Sequence, residues 1–166
     1  MKKLILLTLS ALLLLSSCSL ERTGNFKIYL TDQPVQADEI WVTITEIKVQ
    51  KNDEGFIILW QGEEKYDLLQ LQNVEKKILD IGLEQGTYTQ IRLVVNSGEI
   101  VIGGESHDLT IPSREVKIPV VFTVTEDGVT EIVLDFEADH SINVVQAGQT
   151  NNYILRPVII VKEIRY

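Results

Sequence analysis

The feature that most constrains the fold of this chain is a repeated alternation of apolar and polar residues with a period of two. It is clear in residues 26–31, Phe-Lys-Ile-Tyr-Leu-Thr, and again in residues 88–95. Successive side chains of a strand point to opposite faces, so this pattern is typical of a half-buried strand. Clusters of Asp, Asn, Gly and Pro separate the runs. We therefore predict an all-β domain over residues 26–166, built as a two-sheet β-sandwich with one short helix.

One run breaks its own alternation in an informative way. Within residues 39–50, the aliphatic residues up to Ile44 have even numbers and those from Ile47 onward have odd numbers. One extra residue near Thr45 and Glu46 returns both groups to the same face. The sequence therefore predicts a β-bulge at this point.

Three further local patterns predict chain reversals and element types. Residues 73–81 have apolar side chains at helical spacing, which predicts a helix of about two turns. Asp-Gly within residues 126–128 lies between the alternating runs 117–125 and 130–136, which predicts a β-hairpin. Residues 153–164 are largely apolar and predict one final strand.

The amino terminus has the pattern of a bacterial secretion signal. Two lysines at positions 2 and 3 precede an apolar stretch at 4–15, and the sequence Leu15-Ser16-Ser17-Cys18 follows. A basic start, a short apolar segment and small residues before a cleavage point define such signals. A leucine, two small residues and a cysteine resemble the bacterial lipobox. We therefore predict a signal peptide over residues 1–17 and lipidation of Cys18.

The alternatives for this segment are a membrane-spanning helix and an ordinary signal peptide. The apolar stretch of 12 residues at 4–15 is shorter than the roughly 20 that cross a bilayer. A diacylglycerol with a further acyl chain on Cys18 anchors a protein stably, and residues 18–25 then form a short tether. The expected location is the cell envelope, on the extracytoplasmic side. In a diderm bacterium, Ser19 favours the outer membrane.

Composition excludes several classes of function. The chain has 24 Asp and Glu against 15 Lys and Arg, a net charge of −9. Such a surface repels phosphate backbones, so no nucleic-acid partner is expected. With one cysteine and two histidines, the chain lacks the usual ligand set of a zinc site, and no cofactor is predicted.

Several short motifs, in one order, resemble the family named domain of unknown function 4382. The resemblance covers about residues 25–162. It implies a transthyretin-like or carbohydrate-binding-like sandwich in a secreted or lipid-anchored protein, and it implies no particular activity. The motifs that carry it are Tyr29-Leu30-Thr31-Asp32, Pro34, Val42-Thr43-Ile44, Glu46-Ile47, Tyr66-Asp67-Leu68-Leu69, Gly86-Thr87-Tyr88-Thr89-Gln90-Ile91-Arg92-Leu93, Pro112-Ser113, Leu134-Asp135-Phe136 and Leu155-Arg156-Pro157-Val158.

Some charged residues lie inside apolar or motif-bearing segments, and a buried charge needs a partner. We expect Asp67 or Asp135 to pair with Arg92 or Arg156 in a structural ion pair, and we place Asp32 in the same group.

Carboxylates near residue 137 offer two weaker possibilities. Asp135, Glu137 and Asp139 share a face of an extended chain and form a weak candidate Ca²⁺ site, with a solvated strand edge as the competing interpretation. Asp135 and Asp139 also define an alternative function, a carbohydrate-active hydrolase. Ser106-His107-Asp108 holds the residue types of a triad, but consecutive residues cannot relay a proton.

Aromatic side chains provide the candidate ligand face. Trp41 shares its parity with Thr43, opposite the apolar residues of its strand, and Trp60 and Tyr88 are further candidates. Exposed aromatic rings bind sugars, although they also pack at sheet edges. The favoured function is a lipid-anchored, non-enzymatic binding or structural module that contacts a glycan or an envelope protein. The alternatives are the hydrolase and a Ca²⁺-dependent adhesin.

Overall fold

Strands make up most of the chain described by the computed structural model, which covers residues 22–32, 37–52, 54–147 and 150–166. Two short helical segments, a 3₁₀ helix at Leu68–Leu71 and α1 at Ala138–Ser141, interrupt the strands. The strands in chain order are β1 (Thr23–Thr31), β2 (Glu39–Lys51), β3 (Phe56–Asp67), β4 (Lys76–Glu84), β5 (Gly86–Ile102), β6 (Glu105–Asp108), β7 (Glu115–Val124), β8 (Val129–Phe136), β9 (Ile142–Ala147), β10 (Thr150–Leu155) and β11 (Ile159–Arg165).

The strands form two main sheets and a small hairpin. The first sheet has the order β11-β8-β1-β4, in which β1 and β8 run parallel. The second sheet has the order β3-β2-β5-β6, and β7 also pairs with β5. The hairpin of β9 and β10 joins the body at Thr110, whose N–H donates to the Tyr153 carbonyl at 2.9 Å.

Three stacked aromatic rings join the two sheets. Phe122 of β7 lies 5.0 Å from Phe26 of β1 and 5.1 Å from Tyr88 of β5, measured between ring centroids. All three side chains are buried among the aliphatic residues of both inner faces. The predicted all-β sandwich is therefore confirmed. β1 begins at Thr23, so residues 23–25 lie in the sheet and not in the tether.

The bulge predicted in β2 is confirmed. The register of β2 shifts between Ile44 and Glu46 against both β3 and β5. The shift keeps Ile44 and Ile47 buried on the same face, at 1% exposure each.

The helix predicted over residues 73–81 is wrong. Residues Lys76–Glu84 form β4, which pairs antiparallel with β1. Leu79 and Leu83 are buried against the core, with Ile81 packed beside them. Their period-two spacing fits the edge of the sheet, where tertiary packing outweighs the weak helical pattern.

The hairpin predicted around Asp127 is also wrong. The turn itself forms, with Asp127 at a φ of 57°, but β7 pairs with β5 and β8 pairs with β1 and β11. The turn therefore passes from one sheet to the other. The turn residues set the local chain reversal, while burial of β8 on both faces determines its partners.

The final strand predicted over residues 153–164 is divided in two. β10 ends at Leu155 and β11 begins at Ile159. Pro157 has no N–H for a strand ladder, and the N–H groups of Arg156 and Val158 donate to Ser141. The chain thus leaves the hairpin and enters the first sheet.

The strand directions define two ends of the sandwich. At the base, where β1 begins, Gln85 N donates to Arg22 O at 2.7 Å and Asp127 N donates to Thr23 O at 3.1 Å. β5 begins at Gly86, next to Gln85 at the base, so it runs away from the base. β2 is antiparallel to β5, with Glu39 opposite Val101, so it runs toward the base. Trp41 of β2 and Glu99 of β5 therefore lie toward the far end.

We expect Phe122→Ala to lower the free energy of unfolding by about 3–5 kcal/mol, because it removes the ring that contacts both Phe26 and Tyr88 and leaves a cavity. Urea denaturation measures the loss. The control is Val121→Ala on the same strand, since Val121 is 67% exposed and its truncation should change stability by less than about 0.5 kcal/mol. Equal effects of the two substitutions would contradict the proposed role of the stack.

Candidate functional site

Four side chains on neighbouring strands form a row across the outer face of the second sheet. Trp41 of β2 lies opposite Asp67 of β3 and Glu99 of β5, and Glu99 lies opposite Asp108 of β6. Paired residues project to the same face of a sheet. Strands lie about 4.8 Å apart, so the row spans about 14 Å. We call Asp67, Trp41, Glu99 and Asp108 the Trp41 row.

The ring of Trp41 is held in place by charged neighbours. Its Nε1 donates to Glu39 Oε2 at 2.7 Å, and Lys65 Nζ lies 4.8 Å from the ring centroid. A cation at this distance is attracted to the face of an indole ring. Trp41 is partly exposed, so an oriented aromatic surface is accessible to a ligand.

Glu99 connects this ring to the neighbouring strands. Its Oε2 lies 3.0 Å from Lys65 Nζ, and its Oε1 accepts a hydrogen bond from Ser106 Oγ at 2.5 Å. The hydrogen bond from Ser106, followed by that from Lys65, lowers the pKa of the Glu99 carboxyl. Glu99 is therefore ionised at neutral pH and acts only as an acceptor.

Two clefts meet at Trp41. The first cleft, of about 490 Å³, extends toward the 3₁₀ helix and includes Asp67 and Gln70. The second cleft, of about 270 Å³, crosses toward β6 and includes Asp108. Trp41 and Lys65 line both. An aromatic plane surrounded by amide, carboxylate and ammonium groups has the composition of a surface that binds a polyhydroxylated ligand.

The other two predicted aromatics have different environments. Tyr88 is fully buried, its hydroxyl donates to the Glu84 carbonyl at 2.7 Å, and its burial raises its pKa. The prediction that it belongs to a ligand face is therefore wrong. Trp60 packs partly against the core and lies over Gly62, where an added Cβ would approach the ring to 2.7 Å. Trp41 is the predicted aromatic that lines the two clefts.

The predicted partner of Arg92 is corrected by the structure. Arg92 Nη1 lies 2.7 Å from Glu115 Oε1, and its Cζ lies 3.7 Å from the centroid of the Phe56 ring. Lys48 Nζ approaches Glu115 Oε2 at 2.7 Å and Glu46 Oε1 at 2.9 Å. Arg92 thus belongs to an outer-face network, because the parity of β5 directs its side chain away from the core.

The other residues predicted to form ion pairs have separate environments. Asp67 Oδ1 accepts from Leu69 N at 3.0 Å and caps the 3₁₀ helix. Asp32 Oδ1 accepts from Ala138 N at 3.2 Å. Asp135 is 2% exposed and lies opposite Thr31 in the parallel pair. Arg156 is exposed, and it forms no ion pair within the described residues.

The three carboxylates of the weak Ca²⁺ candidate are not gathered into one site. Asp135 is buried in β8, Glu137 precedes α1, and Asp139 is exposed and accepts from His140 N at 2.9 Å. Among the described residues, no group of three or more His, Cys, Asp and Glu side chains is arranged to hold a metal ion. The buried Asp135 and the exposed Asp139 also do not face a common surface, as a hydrolase pair requires.

Comparison with known proteins identifies a family over most of the chain. The model of the family described as "Domain of unknown function (DUF4382)" matches residues 23–157. No curated protein and no solved structure matches the chain. In the described ranges, none of the helices has the length and apolar character needed to span a bilayer. Cys18 and the predicted signal peptide lie outside the described residues.

We expect Glu115→Gln to lower the free energy of unfolding by about 0.5–1 kcal/mol near neutral pH, and to have a smaller effect in acid. The hydrogen bond from Lys48 is the main cause that lowers the pKa of Glu115 from its ordinary value of 4.5. The ionised carboxylate therefore stabilises the folded state above that value, and this contribution is lost as the pH falls through the lowered pKa.

Urea denaturation at about pH 7 and about pH 3 tests this expectation. The matched control is Glu105→Gln, since Glu105 is an exposed carboxylate on β6. A loss for Glu115→Gln that is the same at both pH values would show that its ion pairs do not stabilise the protein.

Proposed function

The chain belongs to the family described as "Domain of unknown function (DUF4382)", and for this member we propose a role as a lipid-anchored, extracytoplasmic module that binds a glycan without catalysing a reaction. The observation that carries the proposal is the meeting of two clefts at the partly exposed, oriented ring of Trp41. The membrane is the first proposed partner, reached through acylated Cys18. A glycan of the cell envelope is the second.

The position of the Trp41 row supports binding at a membrane-anchored surface. A tether from Cys18 to Arg22 would extend at most about 14 Å, so the base of the sandwich would lie close to the membrane. The row lies toward the far end of β5. The path from Gly86 to Glu99 along this strand is roughly 40 Å, so an anchored domain would present the row to the space beyond the membrane.

The chemistry of the row supports a sugar as the ligand. A sugar ring has one apolar face that packs on an aromatic plane and a rim of hydroxyl groups that need donors and acceptors. Trp41 supplies the plane. Asp67, Glu99 and Asp108 supply acceptors, and Lys65 supplies a donor. Because these residues lie on paired strands, their spacing is fixed before the ligand binds, which reduces the entropic cost of binding.

We expect Trp41→Phe to weaken or abolish binding of oligosaccharides, while Trp60→Phe leaves it within about twofold, because Trp41 lines the two clefts and Trp60 lines neither. The chain contains two tryptophans, so Trp60→Phe also makes Trp41 the sole indole reporter. Fluorescence titration of this variant, purified as the full chain in detergent, with cellohexaose, chitohexaose and a hyaluronan hexasaccharide measures binding directly.

The matched variant is Trp41→Phe, whose binding is measured by isothermal titration calorimetry beside that of Trp60→Phe, because Trp60 lines neither cleft. Saturable binding by the Trp60→Phe variant that is lost in the Trp41→Phe variant supports the proposal. No change with any of the three oligosaccharides, or equal binding by both variants, would overturn it.

We expect Cys18→Ala to move the protein from the membrane fraction to the soluble fraction of cells that express it, because the acyl chains are proposed to supply all of its membrane affinity. Fractionation without detergent, followed by immunoblotting, measures the distribution. The matched control is Ser17→Ala, which keeps a small residue before the cysteine and should remain with membranes. Continued sedimentation with the membranes of a Cys18→Ala protein whose signal peptide has been removed would exclude the lipid anchor.

A further inference from the structure

The two clefts at Trp41 belong to a longer series. The second cleft shares Ser97, Gly98 and Asp108 with a third cleft of about 460 Å³. The third cleft includes Arg114, and the adjoining Ser113 and Glu115 line a fourth cleft of about 580 Å³. The first three clefts thus share lining residues in turn, and the third and fourth are lined by neighbouring residues of the segment 111–115. A series of adjoining clefts of this kind fits an extended polymer better than a single small molecule.

The balance of charge differs between the clefts. The first cleft holds Asp67 and Glu75 beside Lys65 and Lys76. The second cleft contains Glu63, Glu99 and Asp108, with Lys65 as its base. The third cleft contains both Asp108 and Arg114, and the fourth contains Lys117 and Arg156. Glu115 also lines the fourth cleft, but Lys48 and Arg92 already neutralise it. The path is thus acidic beside Trp41 and basic at its far end.

The bases of the third and fourth clefts differ from most others in the chain. Eight basic residues of the described ranges form ion pairs with carboxylates: Arg22, Lys27, Lys48, Lys51, Lys65, Lys77, Arg92 and Arg165. The other five described Lys and Arg residues form none within these ranges, although the chain has an excess of carboxylates. They are Lys76, which lines the first cleft, Lys162, and the three bases of the third and fourth clefts, Arg114, Lys117 and Arg156. Three such bases in the third and fourth clefts favour a carboxylate that comes from a ligand at this end of the path.

We propose that the four clefts together bind one extended glycan in which uncharged sugars alternate with carboxylated sugars. This inference rests on the proposed function and names the substrate class of the same site. An uncharged sugar stacks on Trp41, where a carboxylate would meet Glu63, Glu99 and Asp108. A carboxylated sugar occupies the far end, where Lys117 and Arg156 donate to it. The acidic second cleft therefore sets the register of the polymer by repulsion.

The test compares three hexasaccharides in the full-chain Trp60→Phe variant, in which Trp41 reports binding. The hyaluronan hexasaccharide alternates N-acetylhexosamine and glucuronate, chitohexaose has no carboxylate, and hexagalacturonate has one on every sugar. We expect the hyaluronan hexasaccharide to bind about tenfold more tightly than either of the others. Its affinity should fall in about 0.5 M NaCl, whereas that of chitohexaose should not.

The matched variants locate the carboxylate. Adding Lys117→Gln and Arg156→Gln to the reporter variant should lower the affinity for the hyaluronan hexasaccharide by about tenfold and leave that for chitohexaose within about twofold. The control is Lys162→Gln, because Lys162 is an exposed base on β11 that lines none of the four clefts. It should change neither affinity.

The outcomes separate this inference from the proposed function. Equal affinity for the hyaluronan hexasaccharide and chitohexaose would overturn the inference and leave glycan binding at Trp41 intact. Tighter binding of hexagalacturonate than of the hyaluronan hexasaccharide would do the same. An unchanged affinity for the hyaluronan hexasaccharide in the Lys117→Gln/Arg156→Gln variant would also overturn it. No fluorescence response to any hexasaccharide would overturn the proposed function itself, and the inference with it.

Discussion

The stack of Phe26, Phe122 and Tyr88 is the interaction on which the rest of the structure depends, because it joins the inner faces of the two sheets. Phe122 contacts one ring from each sheet at about 5 Å between centroids. β7 therefore packs over β1 without pairing with it, and the turn after β7 carries the chain across to the first sheet. This crossing places β8 between β1 and β11, where it is buried on both faces. The candidate site lies on the outer face of the second sheet, on strands whose positions this packing fixes.

The bulge in β2 determines what that outer face can contain. Trp41 and Lys48 have opposite parity in the sequence, so in a regular strand one of them would point into the core. The extra residue between Ile44 and Glu46 lets Trp41 project beside the clefts while Lys48 joins Glu115 on the same face. It also keeps Ile44 and Ile47 in the core. The bulge in β2 thus allows one strand to supply both the proposed ligand surface and an ion network on the same face.

The sequence predicts features set by neighbouring residues and fails for features set by distant ones. Alternation and the parity break are local, so the strands and the bulge could be predicted. The partner of β8 could not, because Asp127 fixes a turn but carries no information about pairing. The helix predicted over residues 73–81 is wrong because Val74, Ile78 and Ile81 fall at helical spacing, while the pairing that makes Lys76–Glu84 a strand is with the distant β1. Predicting the Trp41 row requires the registers of four strands, which the sequence does not give. Sequence reasoning therefore does not place Glu99 and Asp108 beside Trp41. Arg92 was expected to need a carboxylate, yet only its cross-strand neighbourhood identifies Glu115.

Because carboxylates outnumber bases in this chain, a base without an ion pair is informative. In a chain of net charge −9, a lysine or arginine on the surface has many acidic neighbours, and an ion pair forms wherever the strand register brings one within reach. Such pairs contribute little individually, so a base is free to take a different partner without a large loss of stability. Arg114, Lys117 and Arg156 line the third and fourth clefts, and within the described chain they form no ion pair. A ligand carboxylate there would gain charge-assisted hydrogen bonds without first breaking an internal pair, so the affinity for an acidic sugar would come at little cost to the fold.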